Sequence, residues 1–255
     1  WPSSLSHFAE ENQEQGGLLG SHIDMLHESP QGMGIAHDSD NAYWYNDGYY
    51  GELVHYDFQQ DHDTGEDDHS DGIVTRYIEI SLTRNPGVPG HLDMNQGNGM
   101  LYVADTGGGR VLWVNTQDPN VTISDIRGAE SQMEPLDGYN RATSVDWGIL
   151  ASGLSSPSGI KLHQGVLFVS QNGNGKITGF NLNEDGKNFT DSRTVNTNAG
   201  SIMGLEIGPE GKLWYVDSEK NRVIRLDTYQ DTDFDEVRDS IDVYPTNSLL
   251  WSDMD

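Results

Sequence analysis

Short apolar runs recur along the chain at regular spacing, and Gly, Asn and Asp residues separate them. Four segments share one order of residue types, in which Gly or Asn is followed by a long polar residue and then by Leu, Val or Ile. They are GELVHYD (51–57), GRVLWVN (109–115), GKITGFN (175–181) and NRVIRLD (221–227). Runs rich in Val, Ile, Leu and aromatic residues between such turns predict strands of antiparallel meanders.

Two further apolar runs precede each of these segments at constant spacing. The nearer runs are YWYN (43–46), LYVA (101–104), LFVS (167–170) and LWYV (213–216), and the earlier runs are GIAH (34–37), HLDM (91–94), GIKL (159–162) and GLEI (204–207). A fourth strand per unit is predicted at SHIDML (21–26), VTRYIEISL (74–82), SVDWGIL (144–150), SRTVN (192–196) and DSIDVY (239–244). With no helical period, this repeat predicts an all-β chain that is a β-propeller of four-stranded antiparallel blades.

This order of residues resembles the NHL-repeat β-propellers. The segments GPEGKLWYVDSEKNRVIRLD (208–227) and LYVADTGGGRVLWVN (101–115) carry the resemblance, which extends over roughly residues 21–227. Full members of that family usually have six blades, so the resemblance implies a six-bladed ring of which four blades are clear. Residues 1–255 are expected to form a single propeller domain. Its two ends either contribute degenerate strands of other blades or leave the ring incomplete.

An incomplete ring would have an exposed sheet edge, and for that reason it would require a partner chain. The resemblance leaves the activity open, because such propellers include enzymes, sensors and binding scaffolds.

The charge of the chain narrows the classes of partner. The sequence has 41 acidic and 14 basic residues and a formal net charge of -27. Because this field repels phosphate groups, neither nucleic acid nor an anionic membrane surface is an expected partner. An Asp-rich, Lys-poor surface stays hydrated in a salty exterior, which favours a secreted, extracellular or periplasmic protein. The absence of Cys excludes disulfides and thiolate metal sites.

Histidine is concentrated towards the start of the chain, where eight of the nine residues lie between positions 7 and 91. Two of them, His37 and His91, occupy inner-strand positions where the other repeats have Gly or an aliphatic residue. Together with Asp93 they predict a His/carboxylate site for Zn, Cu or Fe at the channel mouth. The peptide-amidating lyases, propellers that bind a metal through His from several blades, resemble this design. In the alternative interpretation, His37 and His91 only form hydrogen bonds with neighbouring backbone.

Two acidic segments are candidate Ca²⁺ loops. Asp61, Asp63 and Asp67 alternate around Gly65 in DHDTGEDDHSDG (61–72), and His69 in the same loop would suit a softer metal. The second segment, DTDFDEVRD (231–239), has the spacing of many extracellular Ca²⁺ loops at Asp231, Asp233, Asp235 and Asp239. It lacks the Gly that such loops usually have, with Glu236 in its place. The alternative for the first segment is a solvated acidic loop.

These observations favour a metal-stabilised binding or scaffold module for a protein, peptide or glycan ligand. The alternative is a metal-dependent lyase or hydrolase that acts at the channel, so whether the chain is an enzyme stays open. Lactonase-type propellers also resemble the fold and hold Ca²⁺ across the channel, for which Glu206, Asp93 and Asp146 are candidates. A transition metal bound through His would favour the enzyme, and Ca²⁺ alone in peripheral loops would favour the scaffold.

Overall fold

The computed structural model describes residues 31–60, 70–126 and 136–226, and every regular element in these ranges is a β-strand. In this part of the chain, no helix is long and apolar enough to cross a membrane. The predicted strands SHIDML (21–26) and DSIDVY (239–244) lie outside the described residues.

The strands follow one another in the order that the repeat predicts. The first sheet begins with β1 (Gly32–His37), β2 (Ala42–Asp47), β3 (Glu52–Asp57) and β4 (Ile73–Tyr77). The second begins with β5 (Leu92–Asn95), β6 (Met100–Asp105) and β7 (Arg110–Asn115). A hairpin of β8 (Thr122–Asp125) and β9 (Gly138–Thr143) follows, and β10 (Trp147–Ser152) then completes the second sheet.

The second half of the described chain repeats this plan without an insertion. The third sheet contains β11 (Pro157–His163), β12 (Val166–Gln171), β13 (Lys176–Leu182) and β14 (Phe189–Asn196). The fourth contains β15 (Ile202–Ile207), β16 (Leu213–Asp217) and β17 (Arg222–Leu226). Neighbouring strands within each repeat pair antiparallel. This confirms the predicted fold class, a β-propeller, whereas the total of six blades stays a prediction.

The β8–β9 hairpin is a departure from the sequence-based expectation. It interrupts the second blade between β7 and β10 but adds to the outer edge of the first blade, where β9 pairs parallel with β4. The first sheet therefore has six strands, in the order β1-β2-β3-β4-β9-β8. Tyr139 on β9 is buried in a cluster with Tyr45, Val54 and Tyr56, so the insertion extends the core of the first blade.

The hydrophobic core lies between successive blades, because side chains on a strand point alternately to the two faces of its sheet. On β6, Leu101 and Val103 pack towards the first blade, against residues such as Trp44. Tyr102, between them in sequence, packs towards the third blade with Leu167. A third cluster joins the third and fourth blades in the same way. The apolar runs are continuous in the sequence because both faces of these strands are buried.

A buried polar side chain anchors the turn between the second and third strands of each blade. In the second blade, Asp105 accepts hydrogen bonds from the backbone nitrogens of Thr83 (2.7 Å) and Gly108 (3.1 Å), and from Arg110 Nε (2.7 Å). The equivalent residues of the other blades are Asp47, Gln171 and Asp217. The distance in sequence from this side chain to the following strand is the same in all four repeats. It places a hydrogen-bond acceptor next to backbone N–H groups of the turn, which would otherwise lack a partner.

Successive inner strands contact each other, β1 with β5, β5 with β11 and β11 with β15. A Cβ atom on Gly159 would lie 2.6 Å from the backbone nitrogen of Leu205, and one on Gly204 would lie 2.8 Å from Cε1 of His91. At Gly159 the neighbouring atoms belong to the backbone of β15, so a larger residue does not fit there, and at Gly204 the His91 imidazole takes the space that a Cβ atom would need.

Candidate functional site

A cavity of about 630 Å³ lies where the four inner strands converge. Its volume is within the range of small-molecule sites in proteins. Its walls combine apolar side chains, among them Ile35, Ile160 and Leu205, with ionisable ones that come from different blades. The ionisable side chains are His37, His91, Asp93, Lys161 and Glu206.

Strand register explains why charged residues meet there. Asp93, Lys161 and Glu206 occupy the same position of β5, β11 and β15, opposite Tyr102, Phe168 and Trp214 respectively. The equivalent residue of β1 is Ala36, which pairs with Trp44. Three successive blades thus each contribute one charge to the channel, and the first blade contributes a methyl group.

Lys161 links the two carboxylates. Its Nζ lies 3.1 Å from Glu206 Oε1 and 3.7 Å from Asp93 Oδ1, and the backbone nitrogen of Leu162 donates a 2.6 Å hydrogen bond to Asp93 Oδ2. Burial raises the pKa of Asp93, an effect that exceeds the opposing influence of the Leu162 hydrogen bond and of Lys161. Burial alone would lower the pKa of Lys161, but Asp93 and Glu206 together raise it. The ammonium group therefore stays charged, and it is not a nucleophilic amine at neutral pH.

His91 lines the cavity close to Asp93. Its backbone nitrogen donates to Ser158 O and its carbonyl accepts from Ala104 N, each at 3.0 Å, while the ring packs against Gly204. Burial lowers the pKa of His91, and the negative charge of Glu206 only partly opposes this shift. The imidazole is therefore neutral at pH 7, with one donor and one acceptor nitrogen.

His37 faces a different set of groups at the rim. Its Nε2 lies 3.0 Å from the backbone oxygen of Asp40, and its ring makes an edge contact with Tyr43 at 5.4 Å between centroids. Its own backbone oxygen accepts a 2.9 Å hydrogen bond from Gln96 Nε2. For His37 these contacts match the interpretation in which the histidine bonds to neighbouring backbone.

The predicted metal sites stay predictions. Over residues 31–60, 70–126 and 136–226, no group of three or more His, Asp and Glu side chains is arranged to hold a metal ion. His91 and Asp93 line the same cavity, as expected from the sequence. Asp61, Asp63, Asp67, His69, Asp231, Asp233, Asp235 and Asp239 all lie outside the described residues.

The lactonase-like ligand set is only partly assembled. Glu206 and Asp93 share the cavity, but Asp146 is not among the residues that line it. Asp146 instead forms a 2.7 Å ion pair with Lys187 of the third blade and accepts a hydrogen bond from Asn115. These contacts lower the pKa of Asp146, chiefly through the hydrogen bond from Lys187.

Two features of the cavity were not predicted. The bridging role of Lys161 is one, although its equivalence to Asp93 and Glu206 in the repeat was a signal that could have suggested an ion pair. The second is Ile35, which lines the cavity with 55% of its surface exposed. An isoleucine in a strand pattern predicts burial, and no local signal marks it as facing a cavity.

The sequence matches no protein-family model and no curated protein. Among solved structures, the chain is similar to a nidogen/laminin complex, with a TM-score of 0.53 and 15% identity over 81% of this chain and 64% of that one. A streptogramin B lyase structure has a TM-score of 0.47 and 10% identity, over 78% of this chain and 55% of that one. A virginiamycin B lyase from Staphylococcus aureus has a TM-score of 0.46 and 12% identity, over 81% and 58%.

These similarities concern the fold alone, because the identities are low. The chain spans less than two thirds of the length of each of these three solved chains.

Proposed function

We propose that this β-propeller is a secreted binding module whose ligand occupies the cavity between the inner strands β1, β5, β11 and β15. The observation that carries this proposal is the composition of the cavity: an apolar wall that includes the exposed Ile35, and a small number of convergent polar groups. Ligand sites in proteins typically have this composition.

The proposal predicts that filling the cavity abolishes binding. In the test, a mixed set of small amines, alcohols, carboxylates, sugars and peptides is screened by ligand-observed NMR against the wild type and the variant Ile35→Trp. The matched control is Ile149→Trp, because Ile149 on β10 is similarly exposed (50%) but does not line the cavity. Compounds that bind the wild type should lose binding to Ile35→Trp and keep it with Ile149→Trp. Equal binding to both variants would reject the cavity as the ligand site.

The metal-stabilised part of the proposal concerns the two acidic segments, 61–72 and 231–239. Alternating carboxylates of this kind are suited to Ca²⁺, and the formal charge of -27 favours the uptake of divalent cations. Secretion is proposed on the same ground, because a dense shell of Asp side chains stays soluble in a salty medium.

A metal-dependent lyase or hydrolase is the second candidate. Its support is that His91 and Asp93, two side chains of types that bind Zn, Cu or Fe, line one cavity. Elemental analysis of the purified protein, prepared without added metal, tests this candidate. Near-stoichiometric Zn, Cu or Fe that is lost in His91→Ala would support an enzyme, and its absence from the wild type would reject this candidate.

A further inference from the structure

The ionisable groups of the cavity do not balance one another. Around Lys161, which contributes one positive charge, Asp93 and Glu206 contribute two negative charges, and the adjacent His91 is neutral at pH 7. The fifth ionisable side chain, His37, contacts Asp40 O at the rim and is not part of this group. The site thus has a net negative charge inside a molecule that is itself strongly acidic. An incoming cation would neutralise it, whereas an incoming anion would increase the charge imbalance in a partly dehydrated space.

Each of the two carboxylates has one oxygen occupied by a backbone N–H group and one oxygen that a cation can contact. Asp93 Oδ2 accepts a 2.6 Å hydrogen bond from Leu162 N, but Oδ1 has Lys161 Nζ only at 3.7 Å, beyond hydrogen-bonding distance. In the part of the chain that the structure describes, the ring nitrogens of His91 form no hydrogen bond. Glu206 Oε1 accepts a 2.9 Å hydrogen bond from Ile207 N and lies 3.1 Å from Lys161 Nζ, so among the described residues Oε2 is the oxygen left for a ligand. The side chain is 63% exposed and can turn towards a ligand without a large desolvation cost.

The remaining wall fits an aliphatic stem. Ile35, Ile160 and Leu205 line the same cavity as the carboxylates, and Ile35 is an exposed isoleucine whose surface a ligand would cover. Covering apolar surface of this kind contributes about 25 cal/mol for each Å² that is removed from water.

We infer that the cavity binds a primary ammonium group on an aliphatic stem, with the ammonium at Asp93, Glu206 and His91 and the stem along Ile35. This inference rests on the proposed function, because it names the ligand class of the same cavity. The ammonium could belong to a free alkylamine or to a lysine side chain of a peptide.

Three probes with one stem and different charges test the ligand class. Hexylammonium, hexanol and hexanoate are titrated into the wild-type protein in 150 mM NaCl, so that weak attraction to the acidic surface is screened. We expect hexylammonium to bind at least about tenfold more tightly than the other two, as one charge-assisted contact would provide. Nα-Acetyl-lysine methylamide, compared with its norleucine analogue, shows whether a peptide side chain is accepted as well as a free amine.

Charge variants then locate the contact. Asp93→Asn should weaken hexylammonium binding about tenfold. Lys161→Met removes a competing cation and should strengthen binding several-fold, whereas a site built for anions would lose hexanoate binding in this variant. Asp146→Asn is the matched control, since it removes the carboxylate of a comparable ion pair outside the cavity and should leave the affinity unchanged. Thermal unfolding of each variant confirms that it is folded.

The outcomes separate the two proposals. Preferential binding of hexanol or hexanoate, or stronger binding of any other compound class in the cavity, overturns the ammonium inference and leaves the binding module in place. Hexylammonium binding that persists in Ile35→Trp places the amine on the acidic surface and also overturns the inference. If no compound of the mixed set distinguishes Ile35→Trp from Ile149→Trp, the proposed function fails and the inference fails with it.

Discussion

At the scale of single residues, the turn carboxylates show how the repeat stabilises the fold. Gln171 occupies in the third blade the place of Asp105 in the second, and its Oε1 accepts from Ser155 N at 2.9 Å. Its amide nitrogen also has a partner, Thr178 Oγ1 at 3.2 Å. A side-chain amide can therefore replace the carboxylate at this turn if a hydrogen-bond acceptor lies beside its nitrogen. Whether the turn needs a carboxylate thus differs from blade to blade.

Asp105→Asn should be destabilising for this reason. In the second blade Leu112 occupies the place of Thr178, so an Asn amide nitrogen has no acceptor there and would face Arg110 Nε. We expect the free energy of unfolding, measured with urea, to fall by about 3 kcal/mol, as for a broken buried ion pair. Asp118→Asn, in a turn where the acceptor oxygen is kept, should change it by less than about 0.5 kcal/mol. Equal effects of the two substitutions would contradict this account.

The pair of Asp38 and His55 predicts an acid-dependent loss of stability. Their side chains form a 2.9 Å hydrogen bond, and this bond lowers the pKa of Asp38 below its usual 3.8 despite partial burial. Because the pKa of Asp38 is lower in the folded protein than in the unfolded chain, ionised Asp38 stabilises the folded state at pH values above the pKa of the unfolded chain. This stabilisation is lost as the pH falls through the pKa of the folded protein.

Asp38→Asn should therefore be less stable than the wild type by about 1 kcal/mol at pH 6. The difference should decrease as the pH is lowered from 4 towards 2.5, as measured by urea unfolding at several pH values. If the difference in unfolding free energy between the wild type and Asp38→Asn stayed constant over this pH range, the contact with His55 would not depend on the ionisation of Asp38.

At the scale of elements, the repeat predicted the inner three strands of four blades to within about two residues. It succeeded because these strands are rich in apolar residues, since those between two blades are buried on both faces, and because Gly, Asn or Asp turns bound them. The β8–β9 hairpin was missed because β8 has the sequence TISD and is largely exposed, with no apolar alternation. Its parallel pairing with β4 is a long-range contact, and nothing in the local sequence encodes it.

The residues of the candidate site also include some that the sequence predicted and some that it did not. The sequence placed His91 and Asp93 on inner strands because the repeat aligns them with residues of the other blades. It did not predict the bridging position of Lys161 or the exposure of Ile35, because both depend on how far the neighbouring blades are from each other. Distances between blades result from how the blades pack against one another, and no single segment determines them.

The attachment of the hairpin depends on Arg76. Its guanidinium donates to Tyr139 on β9 (2.8 Å), to Asp47 (3.0 Å) and to Glu52 (3.1 Å), and it lies over the Tyr50 ring. Burial alone would lower the pKa of Arg76, but Tyr139, Asp47 and Tyr56 raise it, so the charge is kept inside the sheet. The hydroxyl of Tyr139 thus connects an insertion from the second blade to a buried charge of the first.

Tyr139→Phe should loosen this attachment. Loss of one hydrogen bond from a charged donor in a buried site should cost about 2 kcal/mol of unfolding free energy. Hydrogen exchange of the backbone amides should increase in β4 and β9 more than in β11–β13. Tyr43→Phe is the control, because the Tyr43 hydroxyl forms no hydrogen bond with the described residues. Uniform acceleration of exchange over all blades would contradict a local role for the hairpin.

At the scale of the whole molecule, the described blades form a series with an uncovered end. The outer face of β16 and β17 exposes Trp214, Val216 and Val223, which are 38%, 39% and 63% exposed. These are the side chains that a further blade or a partner chain would cover. That an incomplete ring would bind a partner chain stays a prediction, and these three side chains are the surface on which the partner would be expected.

The net charge of -27 makes stability depend on cations in solution. Carboxylates that are close in the folded chain repel one another more than in the expanded chain, so salt should stabilise the folded state by screening. If residues 61–72 and 231–239 also bind Ca²⁺, the stabilisation by CaCl₂ should exceed that by MgCl₂ at equal ionic strength. A single site at 100 times its dissociation constant would add about 2.7 kcal/mol.

Thermal unfolding in NaCl, MgCl₂ and CaCl₂ of matched ionic strength measures both effects. We expect the midpoint to rise with NaCl and to rise further with CaCl₂ alone. The double variants Asp61→Asn with Asp63→Asn, and Asp231→Asn with Asp233→Asn, should each reduce the Ca²⁺-specific part and leave the NaCl response nearly unchanged. Identical midpoints in CaCl₂ and MgCl₂ would mean that the acidic segments respond to charge alone and hold no calcium site.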